Sequence, residues 1–228
     1  MPPHETRDED VPTVFPLEES WYYYLTDISQ RAILDRILNS FYAEESDRHW
    51  LQTCPNDMAR IALELDRQLV MTDTNLPPFL HYSQENIGDR ELPYFIHRRL
   101  LQMQECLFKP FLFRVLHFHE TQPQVISELA QRCVEACRTN ILETAIQHRH
   151  HGSWFVARGA FRCAMAIVAA AKSGKLVMPN DWFACVETAL TVIEFWGQEA
   201  ADLQPLGQIL RLVYDHTKEQ LEQEQSRY

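Results

Sequence analysis

Glycine is scarce in this chain, at six residues in 228. No stretch alternates polar and apolar residues over a strand's length with hairpin turns on either side, and the two absences together weigh against a sheet-rich fold. Basic charge is also short: 21 Lys and Arg stand against 32 Asp and Glu, for a formal charge of −11 and a pI near 5.3. A chain that grips phosphates with its own side chains needs a basic surplus, so direct nucleic-acid binding is not expected. Long apolar runs are missing as well. The longest, CAMAIVAAA at 163–171, is too short to cross a bilayer, and the opening MPPHETRDED is polar and acidic, unlike a secretory signal. The expectation is a soluble intracellular chain with no membrane partner, whose six cysteines stay reduced.

Catalytic signatures are equally sparse. The sequence contains no H-E-x-x-H, no phosphate-binding Walker loop, no G-x-G-x-x-G and no G-x-S-x-G elbow. Cys133 and Cys137 lie one helical turn apart on an apolar face, while Cys54, Cys106, Cys163 and Cys185 are isolated. Structural zinc uses closely spaced pairs, so these read as core cysteines. Acidic pairs such as Asp8 with Asp10 or Glu44 with Glu45 read as solvated charge. No catalytic, cofactor or metal residue is assigned.

One stretch does stand out. IQHRHHGSW, 146–154, places three histidines and an arginine in four consecutive positions. His or Arg in a last helical turn favours the negative end of the macrodipole, Gly152 suits a left-handed stop, and Ser153 can cap a new helix at Trp154. The stretch therefore reads as a helix end, a short turn and a new start. A zinc site would need about four converging ligands. His148 and His151 share a face only if the helix stays intact, and no neighbouring carboxylate or cysteine pair completes the set. His117 and His119 form a second cluster, but positions two apart diverge on a helix.

What the chain has in abundance is apolar residues at helical spacing, and the expected fold is an all-α bundle of about seven helices. A proline-rich acidic leader, 1–18, precedes an ordered helical domain over 19–222, and a polar tail occupies 223–228. The first helix, 20–41, presents Trp21, Leu25, Ile28, Ala32, Leu38 and Phe41 as a broad stripe. The second, 56–70, presents Met58, Ile61, Ala62, Leu65 and Leu69. Pro77 and Pro78 then impose a loop. A long helix over 90–117 carries Phe95, Ile96, Leu100, Met103, Leu107 and Phe111, with Pro110 expected to kink or split it. A fourth helix runs 123–151, burying Ile126, Leu129, Cys133, Ala136, Cys137, Ile141 and Ala145. Three more follow at 154–172, 179–196 and 205–222.

Three stretches in register resemble a known family. SWYYYLTDISQRAILDRILNSFY (20–42) is an aromatic run, an acid and an Arg-bearing amphipathic helix. NLPPFLHY (75–82) is followed by LFKPFLFRVL (107–116). The third is the run at 148–203, where a Trp and an Arg precede an Ala-rich helix and then PNDWFACVETALTVIEFWGQEAADL. Together they resemble the helical regulatory region, the middle homology region, of fungal zinc-cluster transcription factors, over about 20–212. The resemblance implies a nuclear transcription regulator that controls a metabolic or secondary-metabolite gene cluster rather than an enzyme. Its partners would be proteins, among them a complete zinc-cluster factor, and a small-molecule effector. The family's DNA reader is an N-terminal six-cysteine cluster holding two zinc ions. Here the first cysteine is Cys54 and the leader is acidic, so DNA reading is not carried over.

Because some relatives respond to metabolites, the resemblance also implies a pocket between helices, with Trp154 and Arg158, one turn apart, as its candidate lining. The structural alternative makes Trp154 a core anchor and Arg158 the partner of an acidic helix end. The competing functional reading is a helical-bundle enzyme or small-molecule carrier that uses His148, His151, His117 or His119 as ligands or bases.

Overall fold

A computed structural model describes residues 17–43, 54–83, 91–118, 120–144 and 153–225. Within them seven α-helices follow in order: α1 (Leu17–Phe41), α2 (Pro55–Thr74), α3 (Glu91–His117), α4 (Gln124–Leu142), α5 (Ser153–Ser173), α6 (Trp182–Gly197) and α7 (Leu203–Gln225). A single 3-10 turn, Pro78–Leu80, precedes α3, and the described residues contain no strand. The chain is an all-α multi-helix bundle. The first sixteen residues of the leader lie outside the described residues, while α7 continues into the expected polar tail as far as Gln225.

Helix α3 is the axis. It packs most extensively against α4 and also touches α1, α2, α5 and the 3-10 turn. Its buried residues face several directions, from Tyr94, Ile96 and Leu100 to Phe108, Phe111 and Val115, as a helix enclosed by neighbours requires. On the far side α5, α6 and α7 pack on one another, and α4 joins the two halves. One large apolar core runs through both, and a small satellite of Leu76, Leu80 and Ile96 forms under the 3-10 turn. Pro110 does not split α3, which continues as one helix to His117 with Pro110 itself buried.

Two other expectations change. Most of the stripe expected to face inward on α1 points outward: Trp21 is 59% exposed, and Leu25, Ile28 and Leu38 are also exposed, whereas Phe41 is buried as expected. The buried set is Thr26, Gln30, Ile33, Ile37 and Phe41. Apolar residues surround α1, so periodicity alone selects no face. Gln30 shows what does: its side-chain amide donates to the Ile96 carbonyl of α3 at 3.2 Å, holding that face inward. Ile61 on α2 is likewise exposed, with Ala59 and Asp66 taking buried positions instead.

Helix α4 ends at Leu142, nine residues short of its expected end, where the Glu143 amide bonds to Thr139 and Thr144 is already outside the helix. The final turn proposed for His148 and His151, and the stop at Gly152, lie outside the described residues. A left-handed glycine stop does occur one helix later. Gly174, at φ 62°, follows α5 and turns the chain so that the Lys175 ammonium donates to the carbonyls of Val115 at 2.9 Å and of Leu116 and Phe118, each at 3.2 Å. A cation there satisfies the open carbonyls at the negative end of α3.

By length and composition, the stretch 154–173 of α5 is apolar enough to cross a membrane, although its longest uninterrupted apolar run is short. Here 44% of that window is buried inside the bundle, and the helix carries two ion-paired arginines.

Between α4 and α6, Arg138 donates to Asp181 at 2.6 and 2.8 Å, just ahead of the first turn of α6.

Two outcomes test this packing. Phe111→Ala, at the centre of the core, is expected to cost about 3–5 kcal/mol in urea denaturation, whereas Trp21→Ala stays within about 0.5 kcal/mol. The second concerns pH. The Arg138 hydrogen bond holds the Asp181 carboxyl below its ordinary value. The folded state therefore binds that proton less readily than the unfolded chain, and the stabilisation is full at neutral pH. It drains as pH falls from the unfolded value of about 3.9 through the lower folded one. The stability gap between the parent and Asp181→Asn should accordingly be larger at about pH 7 than at about pH 2.5 in matched denaturation curves.

Candidate functional site

Helices α1, α3 and α5 do not close completely on one another. They leave two concavities that share Arg99, Gln102, Glu105 and Arg162 as a common wall. The larger, about 520 Å³, lies between α1 and α3 and has Leu34, Leu38, Tyr42 and Met103 as its apolar side. The smaller, about 280 Å³, reaches under α5 to Phe155, Gly159 and Asn140, with Tyr23 and Phe95 opposite. Together they form one two-lobed cleft within the size range of small-molecule sites.

Its electrostatics centre on Glu105. This carboxylate is only 4% exposed, and burial of an ion is costly unless it is paired. Arg162 from α5 supplies the pair, with Nη2 at 2.8 Å from Oε2 and Nε at 3.4 Å from Oε1, while Lys109 Nζ lies 3.5 Å from Oε1. The bond to Glu105 in turn raises the Arg162 guanidinium above its ordinary value. At the other end Asp27 takes two arginines, Arg31 at 2.7 Å and Arg99. Arg98 adds a fifth cation, whose Nη1 donates to the Asn140 carbonyl.

Five cations thus face two carboxylates, in a protein whose net charge is −11. A concave surface of that sign concentrates anions against the average field of the molecule.

Tyr42, Cys106 and Cys163 in the cleft are held protonated. The Tyr42 hydroxyl donates to the Cys106 carbonyl at 2.7 Å, and burial first, then the neighbouring thiol, push its ionisation well above that of an ordinary phenol. Burial raises the Cys106 thiol too. Contact with Cys137 and burial raise that of Cys163 well above the usual value. A thiol kept neutral is a poor nucleophile. What the cleft offers is donors and positive charge beside apolar wall, which is binding chemistry.

The residues singled out from the sequence fall elsewhere. Trp154 is 42% exposed and sits with its ring 5.5 Å from that of Phe155, so it is not a core anchor. Arg158 pairs with Asp202, immediately before α7, and is the partner of an acidic helix end. The neighbours one position further along α5, Phe155 and Gly159, together with Arg162, are the ones that line the smaller lobe. Their spacing is itself a helical stripe, but an arginine within an Ala-rich helix gives no sign of which carboxylate it meets. The His117 ring lies tilted against that of Phe113 with centroids 4.2 Å apart, and His119, His148 and His151 lie outside the described residues. Among the described residues, no three or more His, Cys, Asp or Glu side chains group so as to hold a metal ion.

No family model, no curated protein and no solved structure matches the chain.

The Glu105 pair carries a prediction. Removing one partner of a fully buried pair costs about 3–5 kcal/mol. Arg162 is partly exposed and Lys109 remains nearby, so Arg162→Met should cost about 1–3 kcal/mol. Arg158→Met, whose pair with Asp202 is half exposed on both sides, should change stability by less than about 1 kcal/mol. Chemical denaturation of the two variants beside the parent checks the contrast.

Proposed function

We propose that the chain is the helical regulatory domain of a transcription regulator of the fungal zinc-cluster kind, acting in the nucleus through a protein partner and a small-molecule effector. The observation that carries this reading is convergence. The three stretches that resemble the family are far apart in sequence, yet each contributes a wall of the same cleft. The first supplies Arg31, Leu34, Leu38 and Tyr42 on α1, the second Lys109 on α3, and the third Phe155, Gly159 and Arg162 on α5. Their meeting around one charged opening between α1, α3 and α5 is what supports the reading.

The acidic net charge supports leaving phosphate contacts to another segment or another chain. The uncovered stripe on α1, Leu17, Trp21, Tyr24, Leu25 and Ile28, supports a protein contact, since apolar aromatics in a row are the usual anchors of such surfaces. The partner that this reading requires is a complete zinc-cluster factor, which would bring the DNA reader. Regulation of a metabolic gene cluster follows from the same resemblance.

The test is a nuclear pull-down with the tagged chain, followed by recovery of promoter DNA. Co-purification with a complete zinc-cluster factor is expected, with DNA recovered only when that factor is present. The double change Trp21→Glu and Ile28→Glu should lower factor recovery at least tenfold while the circular dichroism spectrum stays helical. A protein that stays out of the nucleus, or that recovers no reader from it, overturns the reading. Turnover lost on His→Ala changes would move it to a helical-bundle enzyme.

A further inference from the structure

The smaller lobe of the cleft holds three features that packing within the chain does not explain. The first is Arg98. Its guanidinium donates to a neutral carbonyl, that of Asn140 at 2.5 Å, and has no carboxylate partner among the described residues. Every other cation of the cleft shares Asp27 or Glu105.

The second is Asn140 itself. It is 6% exposed and lines the lobe, and its carbonyl accepts from Arg98 and from Thr144, yet its side-chain Nδ2 is buried with no acceptor among the described residues. A buried donor without an acceptor is costly, and such groups are rare in settled interiors.

The third is Gly159. It sits well inside α5, where glycine weakens a helix relative to alanine. Helix glycines are commonly required by a close neighbour, but a Cβ placed here meets no atom within 4 Å. The space in front of Gly159 is the lobe.

A cation with no carboxylate partner among the described residues, an unsatisfied donor and a withheld side chain thus border one opening of about 280 Å³, beside the aromatic rings of Tyr23, Phe95 and Phe155. We propose that this lobe binds a small organic acid, its carboxylate seated between Arg98 and Asn140 and its apolar body lying over Gly159 against those rings. A carboxylate offers two acceptor oxygens, one for a guanidinium and one for an amide, and charge-assisted bonds of this type are the stronger kind. The apolar rings supply contact area and the glycine supplies room. The inference names the ligand class for the effector half of the proposed function and rests on that half alone. A chain that binds the acid but recruits no DNA reader keeps this inference and loses the other.

The test uses the purified full chain and calorimetric titration with sodium octanoate and sodium 3-phenylpropanoate. Octan-1-ol serves as the uncharged counterpart and inorganic phosphate as the anion without an apolar body. At least one acid is expected to bind, at least tenfold tighter than octan-1-ol, and to raise the melting temperature. Arg98→Met should weaken that acid at least tenfold while leaving octan-1-ol unchanged. A Cβ at Gly159 meets no protein atom within 4 Å, so Gly159→Leu should project into the lobe, remain folded and lose both ligands, which keeps the test decisive if Arg98→Met does not fold. Failure of both acids to bind below about 10 mM overturns the proposal. So does octan-1-ol binding as tightly as the acids, undiminished acid binding by folded Gly159→Leu, or phosphate binding more tightly than either acid.

Discussion

A carboxylate at the centre of a helical bundle imposes a constraint on everything around it. Glu105 sits midway along α3, the helix that most of the others touch, and is almost fully removed from water. Left alone it would cost several kcal/mol, so the bundle must deliver a cation to it. That cation is Arg162, and delivering it fixes the rotation of α5 and its distance from α3. Once α5 is so placed, Phe155 and Gly159 face the same gap, and α6 and α7 pack on its remaining sides. The opening between α1, α3 and α5 is a consequence of polar groups that need room for their charges. An all-apolar junction would have closed.

The same pairing explains how a protein of net charge −11 maintains a positive cleft. The acidic excess is spread over exposed helix faces, where water screens it. Five of the basic residues of α1, α3 and α5, namely Arg31, Arg98, Arg99, Lys109 and Arg162, gather around the cleft, where Asp27 and Glu105 oppose them. Average charge therefore describes what the molecule repels at a distance, and the local balance describes what it holds. The expected absence of direct nucleic-acid contact and the proposed attraction of a small anion at the cleft are compatible for that reason.

Much of the fold was legible along the chain. Helices α2 through α7 announce themselves by apolar spacing, and Met58, Ala62, Leu65 and Leu69, or Ile126, Leu129, Cys133 and Cys137, are buried as that spacing predicts. Proline marked the turn before α3, while at Pro110 the helix is not split, with the buried Phe108 and Phe111 flanking the missing donor. Helix α1 was illegible in one respect. With apolar residues on all sides, its inward face was settled by the bond from Gln30 to Ile96 of α3 and by the burial of Ile37 and Phe41.

The candidate site was scarcely legible. The resemblance points to Trp154 and Arg158, one turn apart on α5, as pocket lining. The cleft uses their neighbours Phe155, Gly159 and Arg162 instead. Sequence alone determined the all-helical class, the order of the elements and most of the apolar faces, because helix periodicity is a local property written every three or four residues. Which arginine meets Glu105, which amide is left without a partner and where a glycine leaves space were decided only when α1, α3, α4 and α5 packed together. The Arg98–Asn140 and Arg162–Glu105 pairings join positions 42 and 57 residues apart, and no local pattern encodes them.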